Sequence, residues 1–172
     1  MCQSKIIVTG PIGAGKTTAI KSVSDIAPIK TDVDSTEGFK KQTTVAIDYG
    51  VMNFADNQKL HMYGTPGQQR FDFMWDILTV GGDGLIILLD NTRENPFQDM
   101  HFYLNAFKDF ISGSSVVIGV TQMDLKSEPR IRDYQNELDN SYIKPAVFSI
   151  DARIKQDVSL LVQAIFPSLK LK

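Results

Sequence analysis

Two kinds of apolar block alternate along this chain, one short and strand-like, the other longer with a helical period. Ile6-Ile7-Val8 within residues 4–9 predicts a first strand, and Lys16 to about Ile26 predicts a helix that stops before Pro28. Thr44 to Phe54 alternates, with Val45, Ile47, Tyr49 and Val51 on one side. After the turn Ala55-Asp56-Asn57-Gln58, Lys59 to Tyr63 returns as another strand. So short a connection makes the pair an antiparallel hairpin. Further strands are predicted at 84–90, 115–121 and 145–149, and further helices at 69–80, 96–112, 129–139 and 155–166. Residues 84–90 and 115–121 are apolar without alternation, the pattern of strands covered by helices on both faces. The reading is an α/β fold: a six-stranded, mostly parallel sheet with one antiparallel strand, flanked by about five helices. Ala27 to Gln42 breaks the rhythm; it is polar, carries Pro28 and Gly38, and reads as a long loop of the kind that is usually functional. No repeat, low-complexity tract or linker divides the chain, so residues 1–172 are read as one domain.

The segment that carries chemistry is Gly10-Pro11-Ile12-Gly13-Ala14-Gly15-Lys16-Thr17, lying between the first strand and the first helix. It satisfies G-x-x-x-x-G-K-[ST] in the strand–loop–helix context that this phosphate-binding loop requires. Glycines let backbone N–H groups converge on phosphate oxygens, and the helix N-terminus adds positive potential. Lys16 then reaches the β- and γ-phosphates, and the Thr17 hydroxyl is placed to ligate Mg²⁺. The expected ligand is a nucleoside triphosphate.

Composition narrows the partners. The formal net charge is -2, which gives no electrostatic case for nucleic acid or for an anionic membrane surface. A protein partner is expected instead. With a single cysteine, Cys2, no internal disulfide is possible. The longest strongly apolar run, Leu85 to Leu89, is far short of a membrane span. Met1-Cys2-Gln3 lacks a myristoylation glycine and Leu169-Lys170-Leu171-Lys172 lacks a prenylation motif, so a cytoplasmic setting is expected. His61 and His101 read as ordinary strand and helix residues rather than metal ligands.

Four further segments resemble motifs of the small Ras-like GTPases. Gly64-Thr65-Pro66-Gly67-Gln68 resembles the second switch, D-T-A-G-Q, and lies after the third strand as that motif does. Thr44-Val45-Ala46-Ile47-Asp48-Tyr49 is similar to the end of the first switch. Thr121-Gln122-Met123-Asp124 stands where the base-reading N-K-x-D belongs, and Ser149-Ile150-Asp151-Ala152-Arg153 resembles the S-A-K loop. The Pro-Gly-Gln ending and the following Arg70-Phe71-Asp72-Phe73-Met74-Trp75 look closer to bacterial gliding-motility (Mgl-type) members, which often pair with roadblock-domain regulators. The resemblance covers essentially the whole chain.

It implies a Ras-like G domain of the P-loop NTPase class, bound GTP or GDP, Mg²⁺, and slow GTP hydrolysis unless a partner assists. It implies Gln68, Lys16 and Thr44 as catalytic residues, with Gln68 orienting the attacking water. Thr17 and Thr44 would ligate Mg²⁺. Nucleotide contacts would come from Gly10, Gly13, Ala14, Gly15, Lys16, Thr17, Thr18, Thr44, Gly67, Thr121, Gln122, Asp124, Asp151, Ala152 and Arg153. Within that set, Gly67 would donate its N–H to the γ-phosphate and Asp124 would accept from the guanine N–H and amine. A protein partner would read the ordered switches; the aromatic cluster Phe71, Phe73, Met74 and Trp75 is too large for one helix face, so at least one member is expected to be exposed for docking.

Three positions depart from the family pattern. Gly64 replaces the second-switch carboxylate, which leaves Mg²⁺ to Thr17, Thr44, phosphates and water and predicts weaker metal coupling. Thr121 and Gln122 replace Asn and Lys of the base motif, which predicts looser guanine binding. No arginine precedes Arg70, so the first switch supplies no catalytic cation; such an Arg is worth about 10³–10⁵ in rate where present. Two alternatives stay open on these grounds: a nucleotide-binding scaffold with little hydrolysis, and another P-loop ATPase or kinase.

Overall fold

The computed structural model describes residues 3–27, 29–33, 45–54, 57–67 and 73–167. Among these, strands and helices alternate as β1 (Gln3–Thr9), α1 (Lys16–Val23), β2 (Ile29–Val33), β3 (Val45–Asn53), β4 (Lys59–Gly64), α2 (Phe73–Thr79) and β5 (Gly84–Asp90). The series continues with α3 (Pro96–Ala106), α4 (Lys108–Ile111), β6 (Ser115–Thr121), α5 (Ile131–Leu138), β7 (Ala146–Ser149) and α6 (Lys155–Ile165). One sheet holds all the strands in the order β2-β3-β4-β1-β5-β6-β7. β1 pairs in parallel with β4 and β5, and β6 with β5 and β7. β3 is antiparallel to both its neighbours, so it is the one strand running against the rest.

The six expected strands are all present. β2 is an addition at the sheet edge, within the stretch read as loop. Its sequence, Ile29-Lys30-Thr31-Asp32-Val33, is short and half polar, and its ladder to β3 runs from Ile29↔Tyr49 to Val33↔Val45. Pairing with an already formed neighbour makes this strand, and such context outweighs weak propensity. The helix expected over 96–112 breaks at Phe107 and restarts as α4. Asn95 caps its start, accepting from the Gln98 N–H at 3.1 Å, and Pro96 takes the first turn where its missing N–H costs nothing.

Period-two alternation in the central strands divides the core into two layers. Ile6, Val8, Ile86 and Leu88 point to the side of α1 and α6, packing with Ile20, Leu161 and Val162. Ile7, Leu85, Ile87 and Leu89 point to the other side, with Trp75, Met100, Tyr103, Phe107 and Tyr134. Trp75 is buried and stacks on Phe107 with ring centroids 5.1 Å apart, so it serves the core rather than a partner. Met74 is half-buried, whereas Phe71 and the side chain of Phe73 lie outside the described residues. With both faces covered, ligands of an open α/β sheet bind at the carboxyl ends of its parallel strands. Here those ends are Thr9 of β1, Asp90 of β5, Thr121 of β6 and Ser149 of β7.

Candidate functional site

The chain leaves β1 at Thr9 and turns at Gly10, whose φ of +142° is open to glycine. A Cβ there would stand 2.0 Å from the Leu88 carbonyl oxygen, because the loop crosses directly over β5. The loop closes with Ala14 donating to Pro11 O at 3.3 Å and enters α1 through Gly15. No side chain caps this helix start and no acidic residue lies in its first turn, so its N–H groups face an unneutralised positive end. Thr18 is exposed beside it.

Lys16 folds back over the loop. Its Nζ donates to the carbonyls of Gly10 and Pro11, each at 2.7 Å, and the residue is 8% exposed. Burial pulls its ammonium down from 10.5 to about 8, with nearby Asp48 opposing the shift. Gly67, three residues beyond the end of β4, comes so close that a Cβ on it would lie 2.8 Å from Lys16 Nζ and 2.9 Å from Ile12 N. Ile12, Gly13, Gly15, Lys16, Thr17, Thr18, Asp48, Pro66 and Gly67 enclose a cleft of about 420 Å³. A cation, a hydroxyl and converging backbone N–H groups in one cleft suit phosphate oxygens.

A second cleft, of about 290 Å³, opens beside the first and shares Gly13, Gly15 and Thr18 with it. Its other walls are Thr121, Gln122, Asp124 and Leu125 from the end of β6, and Asp151, Ala152 and Arg153 after β7. Asp124 is well exposed and lies 3.9 Å from the Arg153 guanidinium. Arg153 is held to Asp151 through both Nε and Nη2, which keeps the Asp151 carboxyl down at about 2 and raises the guanidinium. Ala152 is buried against Gly15, where a Cβ would meet it at 3.0 Å. A larger groove of about 710 Å³, between Asp25 and Leu160, contains none of the motif residues.

The two departures in the base motif have structural roles. Thr121 Oγ1 lies 3.0 Å from Ala14 O and 3.1 Å from Leu89 O, so one buried hydroxyl ties the phosphate loop to two strands. Gln122 adopts φ +60° and its Nε2 donates to Gly13 O at 2.9 Å. A hydroxyl and an amide thus tie the two loops together in place of the Asn and Lys of the family pattern. Thr121→Val removes the hydroxyl at nearly constant volume and forfeits its tie to the phosphate loop, a cost of about 1–2 kcal/mol. Nucleotide affinity by fluorescence titration is expected to fall about 5- to 20-fold.

Sequence reasoning missed three residues. Asp48 accepts a hydrogen bond from the Thr17 hydroxyl across 31 positions of sequence. Asn91 donates to Lys126 O at 2.6 Å and accepts from the Tyr134 hydroxyl at 2.6 Å, bracing the turn that carries Asp124. Tyr134 is fully buried, and burial raises its phenol. Only Asp48 gave any signal: a charge inside an otherwise apolar-alternating strand. Thr44 and Gln68, like Arg70, lie outside the described residues. Arg93 is ion-paired to Asp99, and His61 and His101 hydrogen-bond Tyr49 and Glu137. No cluster of three or more metal-ligating side chains occurs among the described residues, and no described helix is long and apolar enough to cross a membrane.

The arrangement joins a cleft lined by Lys16, Thr17 and the glycine-rich loop to a second one that carries the Asp124 carboxylate. Against known proteins, the model of the Ras family matches residues 5–170. The chain is 35% identical over 91 residues to an uncharacterized protein of Methanocaldococcus jannaschii, a match covering 53% of each, so it spans about half the length of that relative. It is 22% identical to the Ras-related protein RabC of Dictyostelium discoideum over 96% of this chain and 85% of that one. It is 25% identical to the Ras-related protein Rab-37 of Homo sapiens, over 98% and 74% respectively.

Proposed function

Because the chain belongs to the Ras family, we propose that it is a guanine-nucleotide switch that binds GTP with Mg²⁺ and hydrolyses it to GDP. The observation that carries this reading is the continuity of the two clefts through Gly13, Gly15 and Thr18, with Lys16 and Thr17 at one end and Asp124 at the other. Lys16 holds positive charge against the β- and γ-phosphates, and the N–H groups of Gly13 to Thr18 surround them. Mg²⁺, when bound, neutralises charge developing on those oxygens. An oxygen-only donor set, with Thr17 and Asp48 in one cleft, suits a hard cation that keeps most of its ligands from phosphate and water. Asp124 accepts from the two adjacent donors of guanine, a pattern adenine lacks.

The Gly67 contact with Lys16 supports a γ-phosphate sensor: the second switch is close enough to report loss of that group. Thr44 and Gln68 are the proposed metal ligand of the first switch and the water-orienting residue. Slow unaided hydrolysis is supported by the absence of arginine before position 70 and by Arg93 and Arg153 being engaged by Asp99 and Asp151. A protein partner acting on the switches would supply the missing cation. The Pro66-Gly67-Gln68 sequence supports kinship with the bacterial gliding-motility members, and hence a cytoplasmic setting and a roadblock-domain regulator.

Base reading is tested with Asp124→Asn. Its amide presents a donor where the carboxylate accepted, so guanine is rejected and xanthine, which carries a carbonyl at that position, is matched. GTP affinity is expected to drop at least ~100-fold and xanthosine triphosphate to bind better than GTP. Wild-type protein that binds ATP as tightly as GTP overturns the proposed base specificity. Single-turnover hydrolysis near one per second without a partner overturns the proposed slowness.

A further inference from the structure

Asp48 faces Gly64 directly across the β3–β4 ladder. Opposed residues of an antiparallel pair project to the same face. That face is the one covered by α1, since a Cβ on Gly50, two residues along β3, would meet Ile20 and Ser24. A Cβ on Gly64 would lie 3.1 Å from Asp48 Cβ and 3.5 Å from Asp48 Oδ2, so the two positions compete for one space. With Gly64 bare, the carboxylate of Asp48 lies beside that position and accepts a hydrogen bond from the Thr17 hydroxyl. It lines the same cleft as Lys16 and Gly67.

A hydroxyl that donates its hydrogen to a carboxylate keeps its lone pairs free for another partner. That is what a metal ligand needs, and an acceptor behind the ligand strengthens it as a donor. We propose that Asp48 supplies, from β3, the metal-side carboxylate that β4 lacks at Gly64. The weakened metal coupling expected from Gly64 is thereby reversed. The inference rests on the nucleotide reading given above and adds where the divalent ion is sensed. A carboxylate on β4 would report to the turn at Gly67, three residues on. On β3 it reports to the strand that begins at Val45, next to the proposed first-switch ligand Thr44. Metal binding is therefore coupled to the antiparallel strand.

The test is equilibrium binding of fluorescent GDP to the full chain, titrated with Mg²⁺ from chelator to millimolar. Wild type is expected to gain at least tenfold in affinity across the titration. Asp48→Asn keeps the shape and an acceptor for Thr17 but removes the charge; Asp48→Ser serves as a second variant of smaller side chain. Both are expected to bind GDP in chelator as tightly as wild type or more so, because a negative charge has left the phosphate cleft. Both are expected to lose at least fivefold of the Mg²⁺-dependent gain. A merely structural hydrogen bond would weaken binding equally with and without metal, and that result overturns the inference. Variants whose Mg²⁺ titrations match wild type also overturn it, as does wild-type GDP binding indifferent to Mg²⁺. Absence of GDP binding by wild type in every condition fails the nucleotide reading itself, and is told apart from these outcomes by that fact.

Discussion

Lys16→Ala is expected to lower GTP affinity by about 10² to 10⁴, because charge-assisted hydrogen bonds contribute about 1.5–3 kcal/mol each and Lys16 is proposed to address two phosphates. Stability of the ligand-free protein is expected to hold or rise. Lys16 Nζ is buried and its proton is held less tightly than in the unfolded chain. Below about pH 8 the folded protein carries that charge at a penalty of roughly 3 kcal/mol, taken from a fall of 10.5 to about 8. Between about pH 8 and 10.5 the unfolded chain binds the proton and the folded one does not, so stability rises with pH through that window. A bound triphosphate favours the charged form, so affinity is expected to be flat below about pH 8 and to fall toward tenfold per unit above it. Calorimetric titration of wild type at several pH values checks the slope. Lys16→Ala should abolish it, and a pH profile shared by both proteins would remove Lys16 from phosphate binding.

Gly10→Ala is expected to destabilise the fold by about 4 kcal/mol and to lower the thermal midpoint by on the order of 10 °C. The new Cβ would sit 2.0 Å from Leu88 O, and that oxygen belongs to the central β5 backbone, which has no rotamer by which to yield. The φ of +142° adds strain for any residue with a Cβ. Circular-dichroism melting decides it: a midpoint within a degree or two of wild type would mean that the loop does not cross β5 as closely as described. Gly67→Ala makes an instructive contrast. Its new Cβ would meet the flexible end of Lys16 at 2.8 Å but also the Ile12 backbone nitrogen at 2.9 Å, so the cost is divided between nucleotide binding and the placing of the loop.

What the chain makes legible on its own is whatever is encoded by contiguous residues. The phosphate loop is eight consecutive positions, and its geometry follows from where the glycines fall. The central strands 84–90 and 115–121 are apolar but for their ends and match β5 and β6 residue for residue. The hairpin between β3 and β4 was marked by alternation on both sides of a short turn. β2 was not legible, because its order comes from the β3 edge rather than from its own pattern. The break at Phe107 was not legible either, since a buried ring stacking on Trp75 is decided by two helices meeting.

The same division holds at the site. Lys16, Thr17 and Asp124 were identifiable because each belongs to a local motif with a fixed neighbour spacing. The ties that make two loops one site were not: Thr121 to Ala14 spans 107 positions, Gln122 to Gly13 spans 109, and Thr17 to Asp48 spans 31. A substitution such as Gly64 reads from the sequence as a loss. Only the pairing register, Asp48↔Gly64, shows the carboxylate present on the adjoining strand. Local pattern is written by adjacent residues and their periodicity; which side chains then meet depends on how strands align, a property the whole sheet decides together.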